Sequence, residues 1–135
     1  MIKLNRKLEY ALIALKHMSK KEATNAGTLT SAKEITLHYM VPFDVVSRVL
    51  QILNQHGIVK STQGVQGGYH LLKNLDDVSL NDLIEMIEGP LQLVKCMGDD
   101  HECEIKSSCN IISPVQVLNH KIGDFYKTIK ISDLV

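Results

Sequence analysis

The chain has 135 residues, a formal net charge of zero, 44% hydrophobic and 22% charged residues, which is the composition of an ordinary folded domain and excludes a disordered segment. Aromatic residues make up only 4% and Trp is absent, so the core is expected to be aliphatic and base-stacking platforms for single strands are not expected. No apolar run approaches the ~18 residues of a membrane span and the opening segment lacks a signal-peptide core, so the expectation is a cytoplasmic protein without a membrane partner, in which three cysteines do not form a disulfide framework.

The zero charge hides an asymmetry. Residues 1–73 carry ten bases and four acids, or +6, whereas residues 74–135 carry five bases and eleven acids, or −6. The basic half suggests a face for a polyanion.

Leu4, Leu8, Ala11, Leu12 and Leu15 recur at helical spacing and predict an amphipathic helix from about Asn5 to Ser19. The stretch Glu22 to Thr30 reads as a loop. Ser31-Ala-Lys-Glu34 reads as a capping box that starts a short helix ending near Tyr39-Met40, and Val41-Pro42 interrupts it. A second helix follows at once, with Val46, Val49, Leu50 and Leu53 as its inner stripe and Gly57 at its end. Ile58 to Ser61 and Tyr69 to Leu72 read as two short strands around a flexible tip of Gly64, Gly67 and Gly68. Two short helices followed directly by a hairpin make a winged helix-turn-helix. The glycines do not follow the dinucleotide-loop pattern.

Ser79 and Asp82 bracket the start of a further helix lined by Leu80, Leu83, Ile84 and Ile87, which Gly89-Pro90 stops. From Ile111 onward, Ile111, Val115, Leu118, Ile122, Phe125 and Ile129 step by four and three, a heptad seam that predicts a dimerisation helix. The expected fold is therefore mainly α with a small β-hairpin wing. Residues 1–90 form a winged-helix DNA-binding domain, 91–110 a cysteine loop, and 111–135 a long C-terminal dimerisation helix and tail.

On the presumed recognition helix, Asp44, Ser47, Arg48 and Gln51 point away from the inner stripe. Such residues read base edges in the major groove, and a wing holds phosphates. Arg48 suits a guanine contact or a phosphate clamp. Lys60, Ser61, Thr62, Gln63 and Gln66 lie on or near the wing, and Lys3 completes the candidate DNA contacts. A two-fold dimer would place two recognition helices about 34 Å apart on a near-palindromic duplex.

Cys96, Cys103 and Cys109 follow C-x6-C-x5-C amid Asp99, Asp100, Glu102 and Glu104. Thiolates with irregular spacing suit an iron–sulfur cluster. Zinc, with His101 as a conceivable fourth ligand, lacks its usual tight knuckle. A catalytic cysteine would want a basic setting, so an enzyme is not expected. A thiol redox switch on a DNA-binding regulator and a zinc-stabilised interaction module without DNA are the alternatives.

The run Ser31 to Ile35, Val45 to Leu53, Gly57 to Ser61 and Gly64-Val-Gln-Gly-Gly-Tyr69, with Ile84 to Pro90, the three cysteines and Ile131 to Leu134, resembles the Rrf2 family of bacterial winged-helix regulators, including its IscR-like and NsrR-like branches. The resemblance implies a homodimer on palindromic promoter DNA. It implies a 2Fe–2S or 4Fe–4S cluster, sensing redox state, nitric oxide or cluster supply, on Cys96, Cys103 and Cys109. Two positions depart from it. Gln63 stands where family wings often carry Arg, which removes a charge favoured by the minor groove. Ile112 stands where IscR-like members carry a ligating His. In NsrR-like members an acid from the partner's first helix ligates the cluster, and the matching residue is Glu9. Asp99, His101 and His120 are further candidates.

Overall fold

A computed structural model of the chain describes residues 4–93, 105 and 107–135. Helix α1 runs Arg6–Thr24, α2 Ala32–Tyr39 and α3 Phe43–Gln55. The hairpin of β1 (Val59–Thr62) and β2 (Gly68–Leu71) follows, antiparallel, with Val59 opposite Leu71 and Thr62 opposite Gly68. Helix α4 spans Leu80–Glu88 and α5 spans Ile112–Lys127.

The core is aliphatic, as the composition requires. Leu8, Ala11, Ala14, Leu15 and Met18 of α1 meet Ile35 of α2, the α3 stripe Val46, Val49, Leu50 and Leu53, and Leu83 of α4, all buried. Each large side chain removed from water in this way contributes about 1.5–3 kcal/mol before chain entropy is charged against it.

Helix α1 is a turn longer than its apolar period predicts. The last turn is polar, and tertiary partners hold it: the Lys21 ammonium donates to the Leu29 carbonyl at 2.6 Å, and the Leu71 amide donates to Glu22 Oε1 at 2.8 Å. The first capping box is half formed. Ser31 Oγ accepts the Glu34 amide at 3.0 Å, but the Glu34 carboxylate turns to Lys21 and His17 instead of returning to the cap. The box at Ser79 and Asp82 is complete, with both bonds at 3.0 Å.

The helix-turn-helix corner is sharper than a proline break. Helix α2 ends at Tyr39, Met40 takes the left-handed conformation (φ 56°, ψ 44°), and Pro42 is already the N-cap of α3. Left-handed backbone is uncommon for a residue other than glycine.

Gly67 and Gly68 of the wing answer to crowding, whereas Gly64 takes a positive φ of 123° in open space. A Cβ on Gly67 would collide with the Thr62 carbonyl oxygen, and one on Gly68 would lie 3.0 Å from the Thr30 carbonyl oxygen. Gly68 is crowded because β2 has a second neighbour: Thr30 and Tyr69 exchange both backbone hydrogen bonds at 2.8 Å. Thr30, the residue before the Ser31 cap of α2, thus extends the hairpin by one bridge.

The C-terminal tail belongs to the core. The Leu80 amide donates to the Ile129 carbonyl and the Ile131 amide to the Val78 carbonyl, both at 2.8 Å, and Ile131 is fully buried. This splits the heptad seam. Ile129 of the seam packs against the chain's own core, as does Tyr126 outside it, while Ile111, Leu118 and Phe125, seven residues apart, stay more than half exposed, with Val117 beside them.

Candidate nucleic-acid interface

The α3 stripe fixes where the rest of that helix points. With Val46, Val49, Leu50 and Leu53 inward, the opposite side carries Asp44, Arg48, Gln51 and Gln55, all exposed, flanked by the half-buried Ser47. The four sequence candidates on this helix therefore share one outward surface. Gln55 belongs with them and was missed, although the same 3.6-residue period places it there. The Asp44 carboxylate in the first turn of α3 complements the helix dipole.

The wing stands at the C-terminal end of this helix. Asn54 Oδ1 accepts the Ser61 amide at 3.1 Å and so ties β1 to the last turn of α3. Lys60, Ser61, Thr62, Gln63 and Gln66 are all exposed on the hairpin or its tip. Lys33, exposed in the first turn of α2, adds a cation on the helix-turn-helix that the sequence reading passed over because it treated the segment only as a cap. Lys3 lies outside the described residues.

A polar network holds α2 to α1. The Lys21 ammonium donates to both Glu34 oxygens at 2.8 and 3.0 Å. His17 is bonded through Nε2 to Glu34 at 2.6 Å and through Nδ1 to the Tyr39 hydroxyl at 2.8 Å. Burial raises the Glu34 carboxyl, but the hydrogen bonds and positive charge of Lys21 and His17 outweigh it and hold the group below the usual carboxylate range. The far half of α1 thus grips two neighbouring elements: α2 through Glu34 and Tyr39, and the wing through Glu22.

Of the ligand candidates, Cys109 is a free, half-buried thiol just before α5. Cys96, Cys103, Asp99 and His101 lie outside the described residues. Glu9 sits in the first turn of α1, about half exposed, 3.6 Å from Arg6 Nη1. His120 is exposed and 3.5 Å from Asp124. Among the described residues, no three His, Cys, Asp or Glu side chains converge as a metal site, and no helix is long and apolar enough to cross a membrane.

The sequence matches, over residues 4–135, the profile of Rrf2, described as an iron-dependent transcriptional regulator. The chain belongs to the Rrf2 family. An HTH-type transcriptional regulator of Aquifex aeolicus is 29% identical over 130 residues, covering 95% of this chain and 88% of the relative. Among solved structures, CymR, the global cysteine regulator of B. subtilis, superposes with a TM-score of 0.71 at 24% identity, covering 99% of this chain and 96% of that one. T. potens IscR does so with a TM-score of 0.64 at 22% identity, covering 98% and 85%. These structural likenesses carry the winged-helix fold. Family membership makes the protein a DNA-binding transcription regulator and not an enzyme, which sets aside an interaction module without DNA.

Proposed function

We propose that this Rrf2 regulator acts as a homodimer on near-palindromic duplex DNA, and that an iron–sulfur cluster on Cys96, Cys103 and Cys109 governs its grip. The observation that carries the reading is the single outward surface formed by Asp44, Ser47, Arg48 and Gln51 beside the exposed wing. Arg48 offers a planar cation for guanine or phosphate, Gln51 an amide for adenine, and Lys60 with the wing amides binds backbone phosphate. Lys3, outside the described residues, is the remaining proposed DNA contact. The exposed row Ile111, Leu118 and Phe125 on α5 supports pairing with a second copy, because an apolar row of this kind is stabilised by burial against its equivalent.

The donor set suits the cluster. Three thiols fall within one short segment, and Cys109 is only partly buried. Such a group supplies a thiolate-bound iron centre whose occupancy follows oxidant and iron supply. Glu9 of the partner subunit is the proposed fourth ligand, a hard oxygen among soft sulfurs and hence the labile one. To ligate, the carboxylate must leave Arg6, which costs little at an exposed pair. Glu9 lies on the helix whose far half grips α2 and β2. Holding or freeing its first turn would therefore shift α2 and the wing together, a two-state bias set by differential contacts.

Reconstitution with iron and sulfide without oxygen tests this assignment. Glu9→Ala is expected to alter the cluster spectrum and the DNA response, and a triple Cys→Ala variant to lose both. An unchanged spectrum and response in Glu9→Ala would exclude that ligand. The second reading keeps the DNA contacts and makes the thiols themselves the switch. It is favoured by the partly buried thiol of Cys109 just before α5 and by the fold shared with the cysteine regulator CymR. Iron and sulfide analysis of the protein isolated without oxygen separates the two.

A further inference from the structure

The outward surface of the helix-turn-helix is not uniformly polar. Leu37, Met40 and Phe43 follow one another at three-residue intervals across the turn and are 66%, 87% and 50% exposed. Isolated apolar residues on a surface are ordinary, but three large exposed ones within seven residues of one turn point to a place where something binds. Internal packing accounts for none of this exposure. Leu37 lies opposite the buried Ile35 on α2, and Met40 is held in a left-handed conformation that glycine would adopt more freely.

The position of the set says what it meets. Phe43 is the first residue of α3, and the N-terminal residues of a recognition helix are the ones that reach base edges. It shares a flank of α3 with Ser47, one turn further on, and directly precedes Asp44. The apolar set is thus continuous with the surface assigned to DNA above. The Asp44 carboxylate repels phosphate, so attraction at this end of the helix must come from another source. Among base edges in the major groove, only thymine presents an apolar group, its C5-methyl.

We infer that Phe43, flanked by Met40, recognises thymine methyl groups in the major groove and sets the sequence preference at that position of the site. The inference rests on the DNA-binding reading. Its test begins by selecting duplexes from a random pool with the full-length protein. Each thymine of the selected duplex is then replaced singly by deoxyuridine, which removes only the methyl.

At one or two positions per half-site, wild-type protein is expected to lose about fourfold in affinity, the equivalent of ~0.8 kcal/mol for one buried carbon. Phe43→Ala is expected to bind more weakly and to be indifferent to uridine at those positions, while Phe43→Leu keeps part of the discrimination. Circular dichroism and thermal melting confirm that each variant is folded. A uridine profile that is the same in wild type and Phe43→Ala would overturn the inference while leaving DNA binding intact. Loss of self-association in Phe43→Ala with an unchanged profile would assign the face to a second copy and also overturn it. If no duplex is enriched, the DNA-binding reading itself fails.

Discussion

Replacing Met40 by glycine should make the protein more stable and a poorer DNA binder. Met40 holds φ 56° and ψ 44°, where the Cβ of an L-residue crowds the backbone at a cost of roughly 1–2 kcal/mol. Its side chain is 87% exposed, so removal forfeits almost no packing. Glycine gives back about 0.4–1 kcal/mol through the greater freedom of the unfolded chain. The net expectation is a gain of about 0.5–1 kcal/mol. For 135 residues the unfolding entropy is about 0.28 kcal/mol/K, so Tm should rise by roughly 2–4 °C. Urea unfolding of both proteins at one concentration is the assay, since association would otherwise shift the midpoint. The midpoint should rise with an unchanged slope. A Met40→Gly protein less stable than wild type would refute the strain argument. Unchanged affinity for the selected duplex would remove Met40 from the thymine-reading set.

Three other perturbations probe separate parts of the account. Glu34→Gln should cost under about 1 kcal/mol at neutral pH, because the carboxylate is 37% exposed and its pairs are screened. The folded-state pKa of Glu34 is depressed, so its contribution is present above the unfolded carboxylate pKa and is lost as pH falls through the folded value. The gap to wild type should therefore close in acid, as urea titrations at pH 7 and pH 3 would show. Gly67→Ala forces a Cβ against the Thr62 carbonyl oxygen. Overpacking of about 1–3 kcal/mol should open the exposed wing tip rather than the core, so duplex affinity should fall while Tm barely moves. Phe125→Asp replaces a 62% exposed apolar residue on α5. It should shift the protein toward monomer in sedimentation while leaving its helical content intact.

Much of the fold was legible because local signals agreed with the packing. The α3 stripe, the Ser79–Asp82 box and the glycine-marked hairpin each announce an element that the structure contains. Tertiary partners that no local pattern encodes account for the misses. The end of α1 is polar and reads as a loop until Leu29 and Leu71 are seen to bind it. The α5 period is correct, but a period cannot say which positions face the chain's own core, and the buried tail at Ile131 decides that. Likewise, the Ser31–Glu34 spacing predicts a reciprocal cap, whereas Lys21 and His17 of α1 compete for the carboxylate and win.

The outward surface of α3 was legible for the same reason as its inner stripe: one period fixes both the inside and the outside of the helix. Gln55 and Lys33 were within reach of that period. Leu37, Met40 and Phe43 were not, because sequence alone assigns large apolar residues to the core. For the proposed ligands, sequence supplied Cys96, Cys103 and Cys109 as a set, and the described residues add the partly buried thiol of Cys109.

One measurement bears most directly on cluster control: protein isolated without oxygen, with its visible absorption and its affinity for the selected duplex followed on the same sample before and after air is admitted. The account predicts coloured protein with bound iron and sulfide, and an affinity that changes in step with bleaching. Colourless protein that grips the duplex equally well with and without air would contradict it.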